Sequence, residues 1–78
     1  MGIGKKLLTN AFEYAKKNGY KNIEVGTGNS SIGQIIFYQK MGFRMRNIDV
    51  GFYDRNYNEK IYENGILCRD MIRFIKEL

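Results

Sequence analysis

Between Gly28 and Phe43 the chain reads Gly-Asn-Ser-Ser-Ile-Gly-Gln-Ile-Ile-Phe-Tyr-Gln-Lys-Met-Gly-Phe, and this stretch constrains the fold most. Asn29, Ser30 and Ser31 carry side-chain oxygens able to accept from the free amides of a first helical turn. Ser31 and Gln34 have the spacing of a capping box. Ile32, Ile35, Ile36 and Met41 then recur on one side, with Gln34, Gln39 and Lys40 left for water. Gly42 ends the pattern, so the stretch predicts one short helix with a defined stop. Tyr38 falls at the boundary of the apolar side, where a ring can pack while its hydroxyl faces a cleft.

The elements on either side follow from periodicity. Leu7, Leu8, Ala11, Phe12 and Ala15 recur at helical spacing, with Asn10, Glu13, Lys16 and Lys17 between them. Gly19 fits the left-handed residue just past the end of that helix, and the two lysines complement its dipole. Gly2-Ile3-Gly4 stands immediately before it, where glycines admit a close ligand and free amides attract an anion. Lys21 to Gly28 alternates around Ile23 and Val25, which predicts a short strand. Glu24 on that strand reads as an exposed carboxylate, with a general base as the rarer alternative.

Beyond Gly42, Phe43 and Met45 share one parity and Ile48, Val50 and Phe52 the other, which predicts a strand bent or bulged at Arg46-Asn47. Asp54 to Lys60 is polar without apolar periodicity and predicts a loop, and Asn64-Gly65 is a turn signal. The end of the chain supports two patterns. Leu67, Met71, Phe74, Ile75 and Leu78 have helical spacing, whereas Cys68, Asp70, Ile72 and Phe74 alternate as in a strand. Helices and strands taking turns imply a layered α/β fold.

Composition removes several functions. No histidine is present, which excludes a histidine-based triad and leaves no conventional zinc set, so no metal is expected. Cys68 is the single cysteine and reads as a small buried apolar side chain. No apolar run reaches the roughly 18 residues of a membrane span and none has a signal-peptide pattern, so a cytoplasmic location is the expectation. The net charge of +5 would suit a phosphorylated ligand, nucleic acid or an anionic surface. The lysines and arginines are dispersed along the chain, which argues against nucleic acid.

Asn29 followed by Tyr38-Gln39-Lys40-Met41-Gly42-Phe43 resembles the asparagine and Tyr-x-Lys-x-Gly-Phe signature of the GNAT superfamily of acetyl-CoA-dependent N-acetyltransferases. Gly2-Ile3-Gly4 is similar to the last three positions of that family's pyrophosphate loop. Met1 stands just before them, and the loop's leading Gln or Arg has no counterpart. The resemblance implies that Tyr38 is the general acid toward the departing coenzyme A thiolate. It also implies that Asn29 contacts the cofactor and that the amides of Gly2, Ile3, Gly4 and Lys5 hold its phosphates. For the end of the chain it implies a strand, because Tyr62 to Ile72 resembles the approach to the family's final strand.

The resemblance corresponds to the C-terminal half of a usual GNAT domain: a partial fold in the order helix, strand, helix, strand, strand. Residues 1–28 would hold the end of the phosphate loop, a helix and a strand, and residues 29–78 a helix and two strands. The strand around Ile23 to Gly28 would then lack a neighbour, which predicts self-association or pairing with a complementary N-terminal half. The implied activity is acetyl transfer from acetyl-CoA to a primary amine. The alternative is a catalytically incomplete fragment that binds coenzyme A weakly or serves only in assembly.

Overall fold

The computed structural model describes residues 2–78. Its elements are α1 (Gly2–Lys17), β1 (Asn22–Gly28), α2 (Ile32–Lys40), β2 (Arg44–Asp49), α3 (Phe52–Asn56), β3 (Tyr62–Glu63), β4 (Ile66–Leu67) and β5 (Met71–Glu77). The last strand lies between the first two, in the order β1-β5-β2, and runs antiparallel to both. The end of the chain is thus a strand. The helical spacing of Leu67, Met71 and Phe74 is that of a central strand carrying apolar side chains on both faces.

Val25 of β1 and Met45 of β2 both stand opposite Phe74. Directly opposed residues of antiparallel strands share a face, so Ile23, Val25 and Thr27 line up with Lys76, Phe74 and Ile72. Both longer helices pack on that face. The Tyr38 ring of α2 lies 5.6 Å from Phe74 and 5.6 Å from Phe43, and Phe12 of α1 lies 5.7 Å from Phe43. Lys76 extends its ammonium over the Phe12 ring at 5.2 Å. Phe74 is fully buried, and Ala15, Phe43 and Cys68 are the other buried apolar side chains among the described residues. These aromatic contacts hold α2 on the sheet, with Ile35 half-buried while Ile32 and Ile36 are exposed.

The stops expected from glycine are present, with Gly19 at φ +83° and Gly42 at φ +94°. Asn64 and Gly65 both have positive φ and turn the β3–β4 hairpin, as a two-residue type I′ turn requires. The register of β2 on β5 shifts between Met45 and Asn47, which is the expected bulge. Arg46, within that bulge, pairs with Glu24 across the sheet at 2.6 Å.

Two local expectations are corrected. The segment predicted as strand through Tyr53 and loop from Asp54 instead leaves the sheet after Asp49 and forms α3. Gly51 precedes it at φ +77° and donates its amide to Asp70 Oδ1 at 2.8 Å, while Arg55 holds the Val50 carbonyl and Asp49. A carboxylate 19 residues away fixes this turn, so neighbouring residues could not reveal it. The capping box is also not formed. Ser31 is the N-cap of α2, but its hydroxyl donates to Glu63 and Gln34 accepts from Thr27.

Candidate active site

The amides of Gly2, Ile3 and Gly4 lie in the first turn of α1, where no carbonyl stands one turn back within the helix. The glycines are therefore inside the helix and not in a loop before it; Met1 lies outside the described residues. Gly4 faces α2 closely: a β-carbon there would stand 3.5 Å from the Phe37 ring. Lys5, Phe37, Lys40 and Met41 line a shallow cavity of about 210 Å³ beside this contact. Two ammonium groups and the positive end of a helix thus border one depression, a combination suited to an anion. The part played by Lys40 escaped the sequence reading, since nothing local pairs it with Lys5.

Tyr38 follows Phe37 directly, and the two rings are 5.9 Å apart. Tyr38 is half-buried, its ring held edge-on by Phe43 and tilted against Phe74. The structure therefore gathers the first turn of α1 and the Phe37–Met41 turn of α2, with Tyr38 adjoining, into one neighbourhood.

Asn29 sits elsewhere, between the end of β1 and the start of α2, and its side chain is committed to the protein. Its Oδ1 accepts from the amides of Arg69 at 2.7 Å and Asp70 at 2.9 Å, and its Nδ2 donates to the Leu67 carbonyl at 3.0 Å. Asn64 secures the neighbouring Ser30 carbonyl in the same way. Ser30 is fully buried and its hydroxyl has no partner among the described residues. The β1–α2 junction is thus clamped to the segment that leads into β5. Residues 67–70 lie about forty positions away in the chain, so no local signal could have disclosed this use of Asn29.

The sequence profile of the Acetyltransferase (GNAT) family matches residues 1–43 of the chain. The chain belongs to this family. It is 56% identical over 77 residues to the uncharacterized N-acetyltransferase YvbK of Bacillus subtilis, covering 99% of this chain and 50% of that protein. A crystal structure of a GNAT family acetyltransferase from Elizabethkingia anophelis with acetyl-CoA bound superposes with a TM-score of 0.96. That protein is 50% identical, and the match covers all of this chain and 51% of the other. A Bacillus subtilis acetyltransferase in complex with CoA gives a TM-score of 0.96 at 56% identity, over 99% of this chain and 51% of the other. The chain therefore spans about half the length of the relatives it matches, and its fold is a partial GNAT fold.

Proposed function

We propose that this GNAT chain takes part in acetyl transfer from acetyl-CoA to a primary amine. The observation that carries this reading is the superposition, over the whole chain at 50% identity, on an acetyltransferase that holds acetyl-CoA. In this reading the amides of Gly2, Ile3 and Gly4, with Lys5 and Lys40 beside them, receive the cofactor phosphates. A deprotonated amine attacks the thioester carbonyl, the carbon–sulfur bond breaks as the tetrahedral adduct collapses, and Tyr38 gives its phenolic proton to the departing thiolate. The one proton that the attacking nitrogen sheds is relayed through solvent to the Tyr38 phenolate, which restores the acid. Asn29 acts on the cofactor from the β1–α2 junction, where its one unused Nδ2 hydrogen is the group available.

A second reading is favoured by one fact: the chain spans half the length of its relatives. Under it, the 78 residues bind coenzyme A weakly without turnover, or serve in assembly. Titration calorimetry of the 78-residue chain with acetyl-CoA, joined to a thiol-release assay over a set of primary amines, separates the two. Binding with amine-dependent thiol release supports transfer, binding alone supports the fragment reading, and no heat at all overturns cofactor binding by this chain.

A further inference from the structure

We infer that the outer face of α2 carries the seat for the nucleotide half of the cofactor: the adenine lies on the Phe37 ring over Gly33, and Lys40 takes the phosphate on the ribose. This rests on the reading of the chain as a binder of coenzyme A, and it assigns the part of the cofactor farthest from the thioester.

Two depressions meet on α2. The one beside the first turn of α1, about 210 Å³, is lined by Lys5, Phe37, Lys40 and Met41. A second, of about 440 Å³, is lined by Gly33, Gln34, Ile36, Phe37 and Lys40. Phe37 and Lys40 belong to both, so the two form one trough that leads from the α1 amides across the helix. At ~100° per residue Gly33, Phe37 and Lys40 fall within about 60° of one another, whereas Tyr38, whose ring rests on Phe74, lies roughly 100–160° round from them. The trough is therefore on the side of α2 turned away from the sheet, and its walls come from α1 and α2 alone.

Its chemistry fits a purine nucleotide. Phe37 is half-buried, so part of its ring is open, and an aromatic face accepts a base by stacking. One turn earlier, Gly33 leaves the helix surface bare: a β-carbon there would meet nothing within 4 Å. A flat ring can thus approach the backbone beside Phe37, with the exposed Ile36 side chain at its other edge. Gln34 spends its Oε1 on the Thr27 hydroxyl at 2.7 Å, which leaves the Nε2 hydrogens as donors for the ring nitrogens of adenine. Lys40 stands where the two depressions join, and Lys5 lines only the one beside α1. That division matches coenzyme A, in which one ribose separates the pyrophosphate from the further phosphate. The α1 amides and Lys5 hold the first, and Lys40 holds the second. A simple anion would use the lysines and leave the Gly33–Phe37 surface unused.

Titration calorimetry of the 78-residue chain with coenzyme A, dephospho-coenzyme A, adenosine 3′,5′-bisphosphate and phosphopantetheine tests the proposal. Gly33→Leu fills the bare surface, and it should fold as wild type does, because no neighbour stands in its way and leucine favours a helix. Circular dichroism verifies this. Coenzyme A and the bisphosphate should bind Gly33→Leu about tenfold or more weakly than wild type, while phosphopantetheine is unaffected. Ile32→Ala, exposed and roughly 100° round the helix from Gly33, should change none of the four. Lys40→Gln should weaken coenzyme A more than dephospho-coenzyme A. A nuclear Overhauser contact between the adenine protons and the Phe37 ring is expected in the wild-type complex.

Coenzyme A that binds Gly33→Leu as tightly as wild type overturns the seat and leaves acetyl transfer standing. Equal losses for the two coenzymes in Lys40→Gln overturn the assignment of the ribose phosphate. Nucleotide binding that Gly33→Leu abolishes, in a chain that releases no thiol, upholds the seat and removes transfer. A wild-type chain that binds neither coenzyme A nor the bisphosphate overturns both.

Discussion

Asn29 and Asp70 are joined twice: the amide of Asn29 donates to the Asp70 carbonyl at 3.0 Å, and the amide of Asp70 donates to Asn29 Oδ1 at 2.9 Å. The first bond prolongs the pairing of β1 with β5 by one residue. The second, with its companion from Arg69, brings a side chain into what would otherwise be an unpaired bend. Asp70 in turn receives the amide of Gly51. One residue at the end of β1 thereby fixes the approach to β5, and that approach fixes the turn into α3.

Removing the Asn29 side chain should therefore destabilise more than its own position. Asn29→Ala leaves the part-buried Asp70 amide and Leu67 carbonyl and the exposed Arg69 amide without this partner, at a cost of about 1–3 kcal/mol. For a chain of this size each 1 kcal/mol lowers Tm by roughly 4–8 °C. Asn29→Asp keeps the acceptor and loses only the donor to Leu67, so its loss should be smaller. Thermal unfolding of both variants, with amide exchange at Arg69 and Asp70, measures the effect. Equal Tm values for wild type and Asn29→Ala would show that the clamp contributes nothing.

Phe74 is the pivot of the core. It is fully buried at the middle of the central strand and touches the Tyr38 ring. Phe74→Ala should cost about 3–5 kcal/mol through lost burial and the cavity left behind. A domain this small has limited reserve, so the variant should lose its cooperative unfolding transition. Phe74→Leu fills most of the space and should retain it. Urea unfolding followed by far-ultraviolet circular dichroism distinguishes these outcomes.

Tyr38 carries two separable roles, packing and proton delivery. Tyr38→Phe preserves the ring against Phe43 and Phe74, so stability should change by less than about 1 kcal/mol. If the phenol delivers the proton to the thiolate, turnover should fall by roughly 10²–10⁴ while acetyl-CoA affinity holds. Unchanged turnover would remove Tyr38 from the mechanism and leave it a packing residue. Tyr38→Ala removes both roles, and loss of cofactor affinity together with stability is its expected signature.

What the sequence disclosed and what it withheld divide along range of interaction. Gly19, Gly42 and Asn64-Gly65 were legible as stops and turns because a positive φ is a local demand that few residues meet. The bulge at Arg46-Asn47 showed as a parity change for the same reason. The final strand was ambiguous by periodicity, because Ile72 and Phe74 serve one face of β5 while Met71, Arg73 and Ile75 are half-buried on the other. Similarity to the family resolved what periodicity left open. The residues brought near the first turn of α1 were half legible. Gly2 and Gly4 marked themselves by sequence, whereas Lys40 joins Lys5 only because α1 lies across α2. The commitment of Asn29, the start of α3 and the Thr27–Gln34 bond each depend on tertiary approach, which competes with and overrides local capping preferences.

A final prediction concerns pH. Tyr53 stacks on Tyr57 at 5.5 Å and lies where Gly28 and Cys68 meet: a β-carbon on Gly28 would stand 2.5 Å from Cys68 Sγ and 3.5 Å from the Tyr53 ring. Burial pushes the Tyr53 phenol above its ordinary value of 10.0, and its electrostatic interaction with Cys68, Tyr57 and Glu63 pushes it in the same direction. The folded state thus holds this proton more tightly than the unfolded chain does. Its contribution to stability is complete below pH 10.0 and is lost as pH rises through the higher folded value, because the unfolded chain ionises first. Tyr53→Phe, which cannot ionise, should lose less stability than wild type over that alkaline range. Phenolate absorbance of wild type minus that of Tyr53→Phe isolates this phenol among the six tyrosines and should show it titrating above pH 10.0. A difference curve centred at or below that value would mean that the phenol is solvated and that the packing of α3 on Gly28 and Cys68 is looser than described.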